Sequence, residues 1–195
     1  MSSVSLRHNF LISWKSKTSV LDKLTIDQIT DEWPRQKCWS SLAHTSISTN
    51  WAIDFGKKFK RKKPLRNNKL SDDERIYQGE LTLFILSASW RLTQNQQILT
   101  SSSDFREYDE SQDSFIQSQM SKKIVGESIT DLTINEQTLD VSMTLTGNYR
   151  IDILCNCPND VNYVFSKTLI VDGNILTRYF EVRANGEIAY TDNLT

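Results

Sequence analysis

The segment 139–154 decides the fold class of this chain, and its sequence is LDVSMTLTGNYRIDIL. Apolar residues occupy every second position on both sides of a Thr-Gly-Asn turn: Leu139, Val141, Met143 and Leu145 before it, and Tyr149, Ile151 and Ile153 after it. This period of two is typical of strands with one buried face. A three-residue loop over 146–148 pairs Leu145 with Tyr149 and keeps both apolar rows on one face, whereas a two-residue turn would pair Leu145 with Arg150. The segment therefore predicts an antiparallel hairpin with the longer loop, in which Asn148 is left-handed.

Other segments carry strand signals of the same kind: WAIDF (51–55), GELTLFILSASWRL (79–92), VNYVFSKTLIV (161–171), ILTRYFEVR (175–183) and EIAY (187–190). The segment 79–92 is apolar on both faces, which predicts one central strand covered on both sides. The segment 111–123 predicts a short helix with Ser111 as its N-cap, and the segment 19–33 fits a helix only in part. We expect an α+β protein with a predominantly antiparallel β-sheet, one or two short helices and a single domain over 1–195.

Positive charge is concentrated in one short stretch of the chain. Eight of the 23 lysines and arginines lie in 57–69, which leaves 15 cations against 24 acids and a net charge of −9 elsewhere. The eight are Lys57, Lys58, Lys60, Arg61, Lys62, Lys63, Arg66 and Lys69. This polarity favours a role that depends on charged partners.

The N-terminal region offers no secretory signal, because its longest apolar stretch is FLISW at 10–14 and contains Ser13. Nothing in the sequence approaches the roughly 18 apolar residues of a membrane span. The three cysteines form an odd set in a chain long enough to fold without disulfides. We expect a cytoplasmic protein with reduced thiols and no membrane partner.

The basic run allows two interpretations. Pro64 and Asn67-Asn68 indicate a charged loop over 57–78 between two strands, and the like charges of such a loop keep it extended and solvated. Alternatively, Lys57, Lys58, Lys60, Arg61, Lys62, Lys63 and Arg66 form a nucleic-acid-binding patch that gains from counterion release. Only Phe59 is interleaved as a stacking aromatic, so we favour the solvated loop. The composition also fits a eukaryotic nuclear-import signal.

Enzymatic arrangements are poorly supported by the residues. The chain has two histidines, His8 and His44, and no glycine-rich phosphate loop. No family-type signature surrounds Cys38, which we expect to be a buried residue beside Trp39. We expect Cys155 and Cys157 to lie on a strand with both thiols on one face, but with only His8 and His44 as further soft ligands they lack the four spaced ligands of a zinc site. We therefore predict a protein that is not an enzyme and has no metal and no cofactor.

The stretch SSDFREYDESQD (102–113) is acidic and contains aromatic residues, and we predict that it binds a protein partner. Its acidic and aromatic residues are Asp104, Phe105, Glu107, Tyr108, Asp109, Glu110 and Asp113. Aromatic side chains among carboxylates suit a surface that meets a basic partner. A solvated approach to the following helix is the alternative.

The order of several framework segments resembles a group of small bacterial proteins. CWSSLA (38–43) is followed by WAIDFG (51–56), GELTLFILSASWRL (79–92), KKIVGESITDLTI (122–134) and LDVSMTLTGNYRI (139–151). Some proteins of this group are encoded beside polymorphic toxins and look like immunity proteins, including those of contact-dependent growth inhibition systems. The resemblance covers about half the chain, does not include the basic run and carries no catalytic residue.

This resemblance implies a non-enzymatic immunity protein that binds a cognate toxin and occludes its active site. If the toxin is a nuclease, its cationic cleft would be complementary to the acidic majority of this chain. A nucleic-acid-binding module that uses 57–69 is the alternative function.

Overall fold

Strands dominate the residues that the structure describes, which are 18–20, 23–43, 51–67, 70–104, 108–109 and 114–194 of the computed structural model. The strands are β1 (Thr18–Val20), β2 (Cys38–Ala43), β3 (Trp51–Lys60), β4 (Tyr77–Ile85), β5 (Ser89–Gln94), β6 (Gln97–Ser101), β7 (Tyr108–Asp109), β8 (Ser114–Phe115), β9 (Ile129–Ile134), β10 (Val141–Leu145), β11 (Tyr149–Leu154), β12 (Val161–Val171), β13 (Asn174–Arg183) and β14 (Glu187–Leu194). The helices are α1 (Lys23–Glu32), α2 (Asp72–Ile76) and α3 (Ile116–Ser121).

The strands form a seven-stranded sheet and a five-stranded sheet, and β7 pairs with β8. The strand order is β1-β14-β13-β12-β4-β3-β2 in the larger sheet and β6-β5-β11-β10-β9 in the smaller one. Every pairing is antiparallel. The predicted class is confirmed: the described chain is mostly antiparallel sheet with short helices, of which there are three.

The hairpin that connects β10 to β11 has the predicted register. Leu145 pairs with Tyr149 and Met143 pairs with Ile151, so the three-residue loop is confirmed. Gly147 and Asn148 both have positive φ, at 69° and 59°. Asn148 is thus in the left-handed region, which asparagine tolerates better than most residues.

The prediction of one central strand over 79–92 is wrong. The segment contains two strands, β4 and β5, which belong to different sheets. The chain crosses between the sheets at 86–88, where three successive amide groups donate to the carbonyl oxygen of Asn162 at 2.9, 3.2 and 3.3 Å. The buried positions shift from Leu83 and Ile85 to Trp90 and Leu92, so the apolar alternation changes phase at the crossing. That phase change made the segment look apolar on both faces.

The five-stranded sheet is a single continuous excursion of the chain from the seven-stranded sheet. Residues 89–154 supply all five of its strands, and they lie in sequence between β4 and β12. These two flanking strands are hydrogen-bonded neighbours, and Ile85 at the end of β4 pairs with Tyr163 near the start of β12. The chain therefore leaves the larger sheet and returns to it at adjacent points.

The hydrophobic core lies between the two sheets. Trp51 of β3 and Trp90 of β5 come from opposite sheets, and their rings are 4.6 Å apart between centroids. Full burial of one large apolar side chain contributes about 1.5–3 kcal/mol. The largest fully buried side chains are Trp51, Tyr163, Phe55, Phe165, Ile53, Leu83, Ile85, Leu92, Ile124, Ile129, Met143 and Ile151.

Helix α1 occupies most of the segment that was ambiguous in the sequence. Trp33, directly after its last residue, packs edge-on against Phe55 at 5.7 Å and against Phe165 at 4.8 Å between ring centroids. Ile26 and Ile29 are buried on the same helix. The β-branched residues in this segment weaken its helix propensity, and burial of this apolar face outweighs that cost.

Three boundaries differ from the sequence expectations. The expected loop over 57–78 is shorter, because β3 continues to Lys60 and α2 occupies Asp72–Ile76. The expected helix over 111–123 is α3, Ile116–Ser121, followed by a 3-10 turn over Lys122–Ile124; the proposed N-cap Ser111 lies outside the described residues. β11 ends at Leu154, so Cys155 and Cys157 lie in a connection and not on a strand.

In the described part of the chain, no helix has the length and apolar character needed to cross a bilayer.

Candidate binding site

The acidic stretch predicted to bind a protein falls largely outside the described residues. Phe105, Glu107, Glu110 and Asp113 are not described, while Tyr108 and Asp109 form the short strand β7 opposite Phe115 and Ser114 of β8.

Asp104, the first acidic residue of this stretch, has a structural role. Its carboxylate accepts a hydrogen bond from the Ser101 amide at 2.7 Å and from the Thr100 hydroxyl at 3.2 Å. These bonds close the turn that follows β6. The other acids and aromatics of the stretch remain a predicted contact region.

Two cations of the basic segment are committed to structure. Arg61 donates through Nε to the Tyr77 carbonyl at 2.8 Å and through Nη1 to Gln78 Oε1 at 3.3 Å. Burial lowers the pKa of Arg61, and the nearby Asp54 carboxylate opposes that change. Lys58 pairs with Asp73 at 2.5 Å. These contacts join the end of β3 to β4 and α2.

The other predicted cations of this segment are exposed. Lys57, Lys60, Lys62, Lys63 and Arg66 make no ion pair with any residue that the structure describes. Asp73 of α2 already neutralises Lys58. The structure therefore reduces the free positive charge of the predicted patch but leaves five of its cations exposed.

A polar surface that sequence reasoning did not single out covers the outer face of the five-stranded sheet. One row of cross-strand neighbours runs from β9 to β6 and consists of Thr133, Ser142, Asp152, Arg91 and Ser101. The next row consists of Asp131, Thr144, Arg150 and Thr93. These side chains alternate with the core residues of the same strands, so they point away from the other sheet. We call this surface the open face.

Three charged side chains at the centre of the open face form one unit. Arg91 Nε donates to Asp152 Oδ2 at 2.9 Å, and Arg150 Nε donates to Asp152 Oδ1 at 2.7 Å. The Asp152 side chain is 12% exposed, whereas the two arginine side chains are 55% and 53% exposed. One shielded carboxylate thus fixes two guanidinium groups whose outer ends face solvent.

The pKa of Asp152 reflects these partners. Burial raises it, but the hydrogen bonds and charges of Arg150 and Arg91 have the larger combined effect, and the pKa lies below the ordinary value of 3.8. The carboxylate is therefore ionised at neutral pH and holds both arginines in place.

Two adjoining hollows meet at this unit. The larger, of about 800 Å³, extends over all five strands of the sheet, and the smaller, of about 420 Å³, extends over β5, β9, β10 and β11. Arg91, Arg150 and Asp152 line both. Ile98 lines the larger hollow and is 63% exposed, and Leu154 lines the smaller one and is 51% exposed. The open face therefore combines oriented cations, the exposed carboxylate of Asp131, uncharged hydroxyl groups and two exposed apolar side chains.

The seven-stranded sheet has a buried carboxylate of a different kind. Asp54 Oδ1 accepts from the Thr82 hydroxyl at 2.6 Å and from the Gly79 amide at 3.0 Å. Burial raises the pKa of Asp54, against the lowering effect of those two bonds and of Arg61. A Cβ at Gly79 would lie 2.6 Å from the Leu81 carbonyl oxygen, so this position accepts only glycine. Asp54 therefore ties β3 to β4.

The cysteines do not form a site with other ligands in the described structure. Cys38 is buried as expected, and burial together with the charge of Asp54 raises the pKa of its thiol to about 12. Within the described ranges, no group of three or more histidine, cysteine, aspartate and glutamate side chains could hold a metal ion. His8 and His44 lie outside those ranges.

Comparison with known proteins adds no relative. No family model matches the chain, and no curated protein or solved structure is significantly similar to it.

Proposed function

We propose that this protein is an immunity protein that binds a bacterial toxin domain and neutralises it by covering its active site. The observation that carries the proposal is the open face, where two guanidinium groups are fixed by a shielded carboxylate within a broad polar hollow. Fixed, solvent-facing arginines lose little conformational entropy when a partner binds, and arginine is enriched among residues that dominate protein interfaces. The cytoplasm is the expected compartment, because an intracellular toxin would act there.

The shape of the open face supports a macromolecular partner. Small-molecule sites enclose most of their ligand in a largely apolar pocket with a few polar groups. The open face instead extends over five adjacent strands, is lined by threonine, serine, asparagine and arginine, and contains two exposed apolar side chains. A mixed polar and apolar surface of this width is typical of protein–protein contacts.

The charge of the chain supports a toxin that acts on nucleic acid. Outside 57–69 the net charge is −9, and a nuclease presents cations to its phosphate substrate.

Replacement of Asp109 and Glu110 by lysine is expected to slow association at low salt, because like charges oppose the encounter. An unchanged association rate, measured by surface plasmon resonance, would remove the acidic stretch from the contact region.

Co-expression tests the proposed function directly. The toxin candidate is the C-terminal domain of a secreted protein encoded beside this chain, expressed in bacterial cells with and without the protein. We expect restored growth and a stoichiometric complex on size-exclusion chromatography. A toxin that kills equally well in the presence of the protein, with no complex, would overturn the proposal.

Nucleic-acid binding by the basic segment is the second candidate. The observation that favours it is the set of exposed cations without ion pairs to described residues: Lys57, Lys60, Lys62, Lys63 and Arg66. A single-stranded oligonucleotide should then bind with an affinity that falls steeply with salt, and the triple variant Lys60→Ala, Lys62→Ala and Lys63→Ala should flatten that dependence. Arg61 is left intact because its bonds to Tyr77 and Gln78 support the sheet. Absence of binding at low salt rules this candidate out.

A further inference from the structure

The open face has an unbalanced positive charge at its centre. Arg91 and Arg150 share the single carboxylate of Asp152, so the three side chains together carry a charge of +1. Asp140 also lines the smaller hollow and carries a formal negative charge, but its carboxylate accepts from the Cys155 amide at 2.8 Å and from the Thr138 hydroxyl at 2.9 Å and makes no ion pair with either arginine. Asp131 stands in the same row as Arg150 but two strands away, at about 9–10 Å by the spacing of strands.

The hydrogen-bonding capacity of the two arginines is also incomplete. Each uses Nε toward Asp152, and the terminal nitrogens of both have no acceptor among the residues that the structure describes. A guanidinium group has five N–H donors arranged to match a carboxylate. Because Asp152 fixes the direction of the two groups, their outer N–H groups can donate to a further carboxylate without rearrangement.

We propose that the open face docks an acidic segment of the partner protein that lies outside its cationic active site, and that the carboxylates of this segment accept hydrogen bonds from Arg91 and Arg150. This inference rests on the proposed function, because it takes the partner to be a protein. The charge of +1 on the three central side chains is small, which argues against a nucleic acid as the partner, because nucleic-acid binding gains affinity from each of several neutralised phosphates. The exposed Ile98 and Leu154 give apolar side chains of a docked peptide a place to pack.

Titration with short charged oligomers tests the chemistry of this face without knowledge of the toxin. The probes are hexaglutamate, hexalysine and a thymidine hexanucleotide, and the readout is the NMR shift of backbone amides and of the arginine Nε–H signals. We expect hexaglutamate to shift the Nε–H signals of Arg91 and Arg150 and the amides of β5 and β11. Hexalysine should leave them in place, and the oligonucleotide should bind this face more weakly than hexaglutamate does.

Matched variants separate the open face from general electrostatics. Arg91→Gln with Arg150→Gln removes two charges from the face, and Lys122→Gln with Lys123→Gln removes two exposed charges elsewhere. We expect the arginine double variant to bind hexaglutamate about tenfold or more weakly and the lysine double variant to bind it as the parent does. If the arginine variant fails to fold, Thr93→Glu places a competing carboxylate beside Arg150 with the charged unit intact, and it should weaken binding similarly.

Three outcomes would overturn the inference. Hexaglutamate could shift the signals of 57–66 and leave the open face unchanged, the oligonucleotide could bind the open face as tightly as hexaglutamate, or the arginine variant could bind hexaglutamate as the parent does. Failure of the proposed function is a separate result, because it appears as absence of protection by the parent chain. If the parent protects cells and the arginine double variant protects them equally, immunity stands and this docking surface is wrong.

Discussion

The carboxyl groups of Asp54 and Asp152 have pKa values displaced in opposite directions from the ordinary value of 3.8. Burial raises the pKa of Asp54, and no cation makes a direct ion pair with it among the described residues. Burial also raises the pKa of Asp152, but Arg150 and Arg91 lower it by a larger amount, so the net change is downward. A displaced pKa links folding to proton binding. The contributions of the two residues to the free energy of unfolding should therefore change with pH in opposite directions.

Replacement of Asp54 by asparagine isolates the first dependence. In the folded parent this carboxyl keeps its proton to higher pH than in the unfolded chain, so its stabilising contribution is present below pH 3.8 and is lost as pH rises through the folded pKa. The free energy of unfolding of the parent, minus that of Asp54→Asn, should fall from about pH 4 upward, with a slope of at most about 1.4 kcal/mol per pH unit. Urea denaturation at a series of pH values measures this difference, and a rise with pH would contradict the prediction.

Replacement of Asp152 by asparagine should show the reverse trend. The carboxylate contributes stability above pH 3.8, and this contribution is lost as pH falls through the lowered pKa. We expect Asp152→Asn to reduce the free energy of unfolding by about 1–2 kcal/mol at pH 7, a value kept small because both arginines are half exposed. The same urea series should show this deficit shrinking at pH 3. A deficit that is independent of pH would mean that the carboxylate charge does not matter.

At the scale of elements, two glycines in hairpin turns provide a matched pair. Gly147 and Gly173 both have positive φ, at 69° and 77°. A Cβ at Gly147 would lie 2.9 Å from a ring carbon of Tyr149, whereas a Cβ at Gly173 would meet nothing within 4 Å. We expect Gly173→Ala to cost about 1 kcal/mol from the left-handed backbone alone, and Gly147→Ala to cost about 1–2 kcal/mol more. Equal losses in thermal or urea unfolding would show that the Tyr149 ring moves aside freely.

The end of α1 depends on one aromatic side chain. Trp33 is buried against Phe55 and Phe165, so Trp33→Ala should leave a large cavity and cost about 3–5 kcal/mol. Asp31→Ala, at an exposed position of the same helix, is the control and should change stability by about 0.5 kcal/mol or less. If the tryptophan variant unfolds at the same urea concentration as the control, α1 does not contribute to the core as described.

The elements that sequence analysis predicted well are those whose signals are local. The β10–β11 hairpin was predicted from the apolar alternation and the turn residues. β12 has the same bounds, 161–171, as the predicted strand segment VNYVFSKTLIV. The break between β4 and β5 was missed because it depends on Asn162, which is distant in sequence and whose carbonyl oxygen accepts hydrogen bonds from the amides of 86–88. Where local pattern and tertiary contact disagree, tertiary contact decides the boundary.

The open face was missed for a related reason. Arg91 and Asp152 are 61 residues apart in sequence, and each appears only as a polar residue at an outward position of an alternating strand. Their meeting depends on the pairing of β5 with β11, which no short motif encodes. Clusters of like charge, such as the basic run and the acidic stretch, are conspicuous in a sequence, but a single carboxylate between two arginines is not.

At the scale of the whole molecule, both crossings between the sheets converge on Asn162. Its carbonyl oxygen accepts hydrogen bonds from the three amides of 86–88. Its side chain is fully buried; the side-chain oxygen accepts from the Cys157 amide at 3.0 Å, and the side-chain nitrogen donates to the carbonyls of Cys157 at 2.7 Å and Asp160 at 3.3 Å. We expect Asn162→Ala to lower the free energy of unfolding by about 1–3 kcal/mol, because partly buried backbone groups of Cys157 and Asp160 lose their partners while the bonds from 86–88 to the backbone carbonyl remain.

Because the two sheets share one core, the Asn162→Ala variant should still unfold in a single transition, with coincident near- and far-ultraviolet circular dichroism curves. Asn156→Ala is the control, since its side chain bonds to Ser89 in the same region but is exposed, and it should cost about 1 kcal/mol or less. Two separated transitions in Asn162→Ala would mean that the sheets fold as independent units.

The adjacent departure and return points of 89–154 have an evolutionary consequence. A segment whose ends are fastened side by side can exchange its solvent-facing residues while the frame that anchors it stays the same. Under the proposed immunity function, lineages that must keep pace with changing toxins would gain from this layout, because substitutions at positions such as Thr93 or Thr144 would alter what is recognised and leave the inward-facing half of each strand untouched. Diversity among descendants of this chain should therefore accumulate on one side of one sheet.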